Sequence, residues 1–90
     1  MKIKETNADN AVALALSALS WTLSDGARAE RLLALTGLTP DDLRTRIAEP
    51  SVLAATLAFL EAHEPDLLAC AEAIGVKPAE IVAARSLLES

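Results

Sequence analysis

Apolar residues recur along this chain at helical spacing, and the runs break at a few glycines and prolines. Val12, Leu16, Leu19 and Leu23 repeat at i, i+4, i+7 and i+11, which is one face of an α-helix. Leu53, Leu57 and Leu60 repeat the pattern further on. Pro40, Pro50, Pro65 and Pro78 mark helix starts, because proline lacks an N–H that a first turn leaves unpaired and keeps the preceding residue out of helical geometry. Gly37 and Gly75 mark helix ends, where a left-handed residue closes the last turn. Six helices follow, over residues 8–23, 27–36, 40–48, 50–63, 65–74 and 78–88. Their connections are shorter than about five residues, as in compact helical domains. The polar start, residues 1–7, reads as frayed, and residues 1–90 read as one domain.

The two glycine corners share a pattern. Gly37-Leu38-Thr39-Pro40-Asp41-Asp42-Leu43 and Gly75-Val76-Lys77-Pro78-Ala79-Glu80-Ile81 both run glycine, apolar, cap, proline, any residue, acid, apolar. Asp42 and Glu80 fall in a first helical turn, where a carboxylate meets unpaired N–H groups and the positive dipole end. Thr39 is a good N-cap and Lys77 is a poor one. Shifting the chain by the same interval sets Leu14 on Val52, Leu19 on Leu57, Trp21 on Phe59 and Leu32 on Cys70. The expected architecture is therefore an all-α compact bundle of about six short helices. It divides into two pseudo-repeated three-helix units, about residues 8–48 and 50–88, each with a helix-turn-helix-like corner.

The two long helices carry more apolar surface than a single core face needs. On the first, the leucine stripe reads as the core face, and Leu14 and Trp21 form a second patch well away from it. A small, uncharged stripe of Asn10, Ala13, Ser17, Ser20 and Ser24 runs between the patches. On the fourth helix Val52 and Phe59, flanked by Thr56 and His63, form the second patch beside Leu53, Leu57 and Leu60. Two readings stand. Both helices are central and covered on two sides, or one second stripe, Leu14–Trp21 first, is an interface for another copy. Leu14, Trp21, Val52 and Phe59 are the candidate interaction surface, since an uncharged stripe fits an interface core and tryptophan is a frequent hot spot.

Composition narrows the class. The chain has 19 Ala and 16 Leu but one Trp, one Phe and no Tyr, so its core sets leucine against alanine. Those residues lead the helix scale, and the strand-favouring types are scarce. Cys70 has no partner for a disulfide, and one His with one Cys leaves a tetrahedral zinc site from one chain short of ligands. A net charge of −5 argues against nucleic acid and anionic lipid as partners. The uncharged run, residues 11–24, is too short to cross a hydrocarbon core of about 30 Å. The acids Glu5 and Asp9 offset Lys2 and Lys4 at its leading edge, so it does not read as a signal peptide. The expectation is a cytoplasmic protein with no membrane, metal or cofactor.

Residues 67–86 resemble the helix-turn-helix family of DNA-binding motifs. Ala71 occupies the small position four residues before Gly75, and Ile74, Val76 and Ile81 match its apolar positions. The resemblance implies a crossing geometry, not a function. A recognition helix needs long polar side chains aimed at base edges. The outward positions here are Lys77, Pro78, Ala79, Val82, Ala83 and Ser86. Arg44, Arg46, Lys77 and Arg85 are the candidate nucleic-acid contacts under this alternative, with acids interspersed among them.

Catalysis has little to build on. His63 and Cys70 are single, and Pro65 breaks the helix between them. Cys70 shares a face with Leu67, Ala71 and Ile74 and reads as a small core residue. His63 reads as the end of a helix, where an imidazolium gains from the dipole. The sequence is read as that of a non-enzyme.

The run Arg31-Leu32-Leu33-Ala34-Leu35-Thr36-Gly37-Leu38-Thr39-Pro40-Asp41-Asp42-Leu43-Arg44 is distinctive. With Glu49-Pro50, Leu53-Ala54-Ala55, Phe59-Leu60, Cys70 and Gly75, it resembles a family of short, all-helical bacterial domains of unknown function. The resemblance spans residues 8–88 and implies a soluble cytoplasmic bacterial protein, with no activity or site residues to carry over. The expected function is a non-catalytic module for protein–protein interaction or self-association. The alternative is a helix-turn-helix-like regulator with weak or shared DNA contact.

Overall fold

The glycine and proline punctuation sets the helix ends. The computed structural model describes residues 8–90, and the frayed start expected over residues 1–7 lies outside them. The helices are α1 (Ala8–Leu23), α2 (Gly26–Thr36), α3 (Pro40–Arg46), α4 (Pro50–Glu61), α5 (Glu64–Ile74) and α6 (Pro78–Leu88), with no strand among the described residues. Gly37 and Gly75 adopt left-handed backbone, at φ 77° and 78°. The Gly75 corner adds the wider closure, with Val76 N–H donating to the Ala71 carbonyl at 2.9 Å. At Gly37 the Leu38 N–H instead donates to the Thr36 hydroxyl at 3.2 Å.

The cap difference expected between the corners is present. Thr39 Oγ1 accepts from the Asp42 N–H, and Asp42 Oδ2 accepts from the Thr39 N–H, both at 3.0 Å. At the start of α6, Glu80 Oε2 accepts from the Lys77 N–H at 2.8 Å, but an ammonium cannot return the bond as an acceptor. Four ends differ from expectation by one or two residues: α2 begins at Gly26, α3 ends at Arg46, α4 ends at Glu61 and α5 begins at Glu64. Asp25 caps α2 by accepting from the Arg28 N–H, so that helix begins one residue early. α4 ends at Glu61, and His63 is the residue from which α5 departs.

α1 and α4 pack on each other, and α6 crosses both. α5 and α2 also lie on this central pair, whereas α3 stands at the periphery, anchored by Leu43 with Leu38 beside it. The two halves are therefore not packed alike, since α6 closes the core and α3 does not. The radius of gyration, 12.4 Å, matches the ~12 Å of a compact chain of this length.

The phase of α1 corrects the sequence reading. Its buried face is Ala11, Ala15, Ala18 and Thr22, each fully enclosed, with Leu19 at its border. Leu16 and Leu23, expected inside, are exposed at 37% and 39%, and Val12 is half-buried. The reason is steric. α1 is gripped by several helices, and small side chains allow their backbones the close approach that a row of leucines would prevent. Thr22 and Thr56 enter the core because their hydroxyls donate to the Ala18 and Val52 carbonyls, at 2.8 and 3.1 Å.

Candidate interaction surface

The four residues read as an interaction surface divide between core and border. Val52 and Phe59 are buried in the chain's own core, so the second stripe of α4 is internal and not an exposed face. Leu14 and Trp21 are half-buried and pack against that core. α2 covers both aromatic residues with arginines. Arg28 lies 3.6 Å from the Trp21 ring centre, and Arg31 lies 5.6 Å from that of Phe59. Arg28 also donates to the Trp21 carbonyl at 2.7 Å and to Ser24 Oγ at 3.2 Å.

Exposed apolar surface lies elsewhere. Leu16, Leu19, Ser20, Leu23 and Ser24 of α1 and its following turn line an open groove with Ile47. Ile47 is 40% exposed, because α3 stops at Arg46 and leaves it in the turn. A second shallow groove lies between α2 and α4, lined by Leu35, Thr36, Ala55, Ala58, Phe59 and Ala62. Sequence reasoning missed Ile47 and Leu35 as surface residues. Leu35 lies on the same side of α2 as Leu32, the one buried residue of that helix, so helical spacing gave no signal of its exposure.

The basic candidates are engaged with acids. Arg44 pairs with Asp41 at 2.9 Å, and Arg46 with Glu49 at 3.0 Å and Asp42 at 3.6 Å. Arg85 pairs with Glu61, tying α6 to α4, and with Glu89 at 2.8 Å. These carboxylates raise both Arg46 and Arg85 further above the ordinary arginine range, the first through Glu49 and the second through Glu61. Lys77 is exposed at the start of α6. The outward positions of α6, including Ala79, Val82, Ala83 and Ser86, are exposed as read, and none carries a long polar side chain.

The family of proteins of unknown function DUF3572 matches residues 8–90. The chain belongs to this family. No curated protein and no solved structure matches it.

The remaining chemistry of this DUF3572 chain is sparse. Asp66 gathers Arg31, at 2.5 Å, and His63 Nδ1, at 3.0 Å, at the start of α5. Cys70 is fully buried, and that burial pushes its thiol up to about 11, the setting of an unreactive core cysteine. Among the described residues, no three of His, Cys, Asp and Glu group as a metal would require. No helix among them is long and apolar enough to cross a membrane.

Proposed function

We propose that this DUF3572 protein is a non-catalytic interaction module of the bacterial cytoplasm that associates through the outer face of α1. One observation carries the reading. Leu16, Leu23 and Ile47 stand exposed around uncharged Ser20 and Ser24, on a helix whose one charged residue, Asp9, lies in its first turn. Apolar side chains rimming an uncharged groove have the composition of an interface centre, from which charged residues are depleted. The setting of Cys70, which is buried, and of His63, which pairs with Asp66, suits a structural role for each. The DNA-contact reading has less support, since Arg44, Arg46 and Arg85 each face a carboxylate.

A photo-crosslinking residue at position 20, introduced in the native cell, tests this. Adducts at position 20, absent from a control at position 83 on the outer face of α6, are expected. Equal adduct yields at the two positions, or none at position 20, would overturn the proposal.

A further inference from the structure

Residues Asp9, Ala13, Leu16, Ser20 and Leu23 are all exposed and follow one another at intervals of four, three, four and three, the spacing of a coiled-coil seam. Large and small residues alternate along it, with Leu16 and Leu23 one heptad apart and Ala13 and Ser20 one heptad apart. Such a seam is complementary to itself in one orientation. When two copies of α1 run antiparallel, centred on residue 18, every leucine falls opposite a small residue. A parallel pair would set leucine against leucine and serine against serine.

Taking the proposed α1 interface as given, we infer that its occupant is the same face of a second copy. The helices dock antiparallel, with Leu16 against Ser20 of the partner subunit and Leu23 against Ala13 of the partner subunit. Electrostatics select this face over others for contact between copies. A chain of net charge −5 repels its own copies, and residues 10–24 form the stretch of α1 surface where no charge meets charge. Asp9 is the one charged residue of α1. In this register it lies a turn beyond the partner's Leu23, on the side of Ile47 and its chain neighbour Arg46. The positive end of each helix also meets the negative end of the other.

Size sets the strength. A 16-residue helix is about 24 Å long. One face of that length buries well under the ~800 Å² per partner of a stable standard interface. The dimer therefore exchanges with monomer and is populated at high protein concentration. Because the copies carry like charge, salt strengthens it.

Sedimentation equilibrium across a concentration series, with disulfide trapping, tests the pairing. Ala13→Cys and Leu23→Cys variants are made with Cys70→Ala, so that each chain has a single thiol. An equimolar mixture is expected to form the 13–23 heterodimer at least tenfold faster than either variant forms its own dimer. Antiparallel pairing separates like positions by about 15 Å along the axis, beyond disulfide reach. Like-with-like dimers forming fastest would overturn the antiparallel register. A wild-type chain that stays monomeric at millimolar concentration, with no trapped dimer, would overturn self-pairing. Position-20 adducts with other proteins would still appear in that case, so failure here is distinguishable from failure of the interface itself.

Discussion

The Arg28 guanidinium lies 3.6 Å from the centre of the Trp21 ring and donates to the carbonyl of the same residue at 2.7 Å. One side chain thereby fastens α2 to the end of α1 through both the ring and the backbone. A cation over an aromatic face contributes about 0.5–2 kcal/mol, and a hydrogen bond from a charged donor about 1.5–3 kcal/mol. Arg28→Ala should therefore lower stability by about 2 kcal/mol after partial solvation is allowed for. Urea unfolding followed by emission of the single tryptophan measures it. Arg28→Lys should restore only part of the loss, because an ammonium cannot both cover the ring and reach the carbonyl with a fixed fork.

Neighbouring positions on α1 should respond in opposite senses. Ala15 is enclosed, while Leu16 is exposed. Ala15→Leu forces three more heavy side-chain atoms into a filled helix contact and should cost about 1–3 kcal/mol or more. Leu16→Ala should stay within about 0.5 kcal/mol of wild type, as surface changes do. Thermal unfolding of the two variants decides. A larger loss at Leu16 would return the leucine stripe to the core.

Acid should weaken the α2–α3 corner before neutral pH changes anything there. The Asp42 carboxyl is held below its ordinary 3.8, first by the Thr39 backbone N–H and also by the Thr39 hydroxyl and Arg46, against a smaller opposing effect of desolvation. A carboxyl depressed on folding contributes stability that is complete above the unfolded value and lost as pH falls through the folded one. Asp42→Asn should lower the melting temperature at pH 7 and leave a shallower decline below pH 4. Parallel melting curves for wild type and variant across pH 2–5 would contradict this.

Cys70 reports opening of the core. With its thiol buried and pushed up to about 11, little thiolate exists at pH 8, and none of it is accessible. A disulfide reagent should react at the rate of unfolding or subglobal opening, rising with urea to the rate of a free thiol. Rapid labelling of the native protein would show that the α5 contact is open.

The helix ends were legible because each rests on backbone chemistry. Pro40, Pro50 and Pro78 begin helices, Gly37 and Gly75 end them, and Thr39 with Asp42 closes a capping box. The phase of α1 was not legible. Its apolar residues surround the axis, so hydropathy does not choose between the leucine and alanine sides. The choice is made by how closely α4 and α6 approach, which the sequence of α1 does not contain. The same gap hid the candidate surface. Trp21 looked like an interface anchor until Arg28, seven residues on, proved to cover it. Leu16 looked like core until Ala15 and Ala18 took its place. His63 was misplaced for a local reason, since α4 ends at Glu61, two residues short of where the proline at 65 would allow it to run.

The peripheral seat of α3 divides the energetics of this domain. The helix holds one buried side chain, Leu43, and burying a leucine contributes about 1.5–3 kcal/mol. Whole domains of this kind are held by about 5–15 kcal/mol. The segment from Leu38 to Ile47 therefore detaches at lower cost than the bundle melts, and its amides exchange with solvent while those of α1, α4 and α6 stay protected. Ile47 leaves with it, so the groove beside Leu23 loses one wall in each such excursion. The surface proposed for docking is thus coupled to a segment held by one buried side chain, and a partner that closes on Ile47 would be read out as slower exchange along α3.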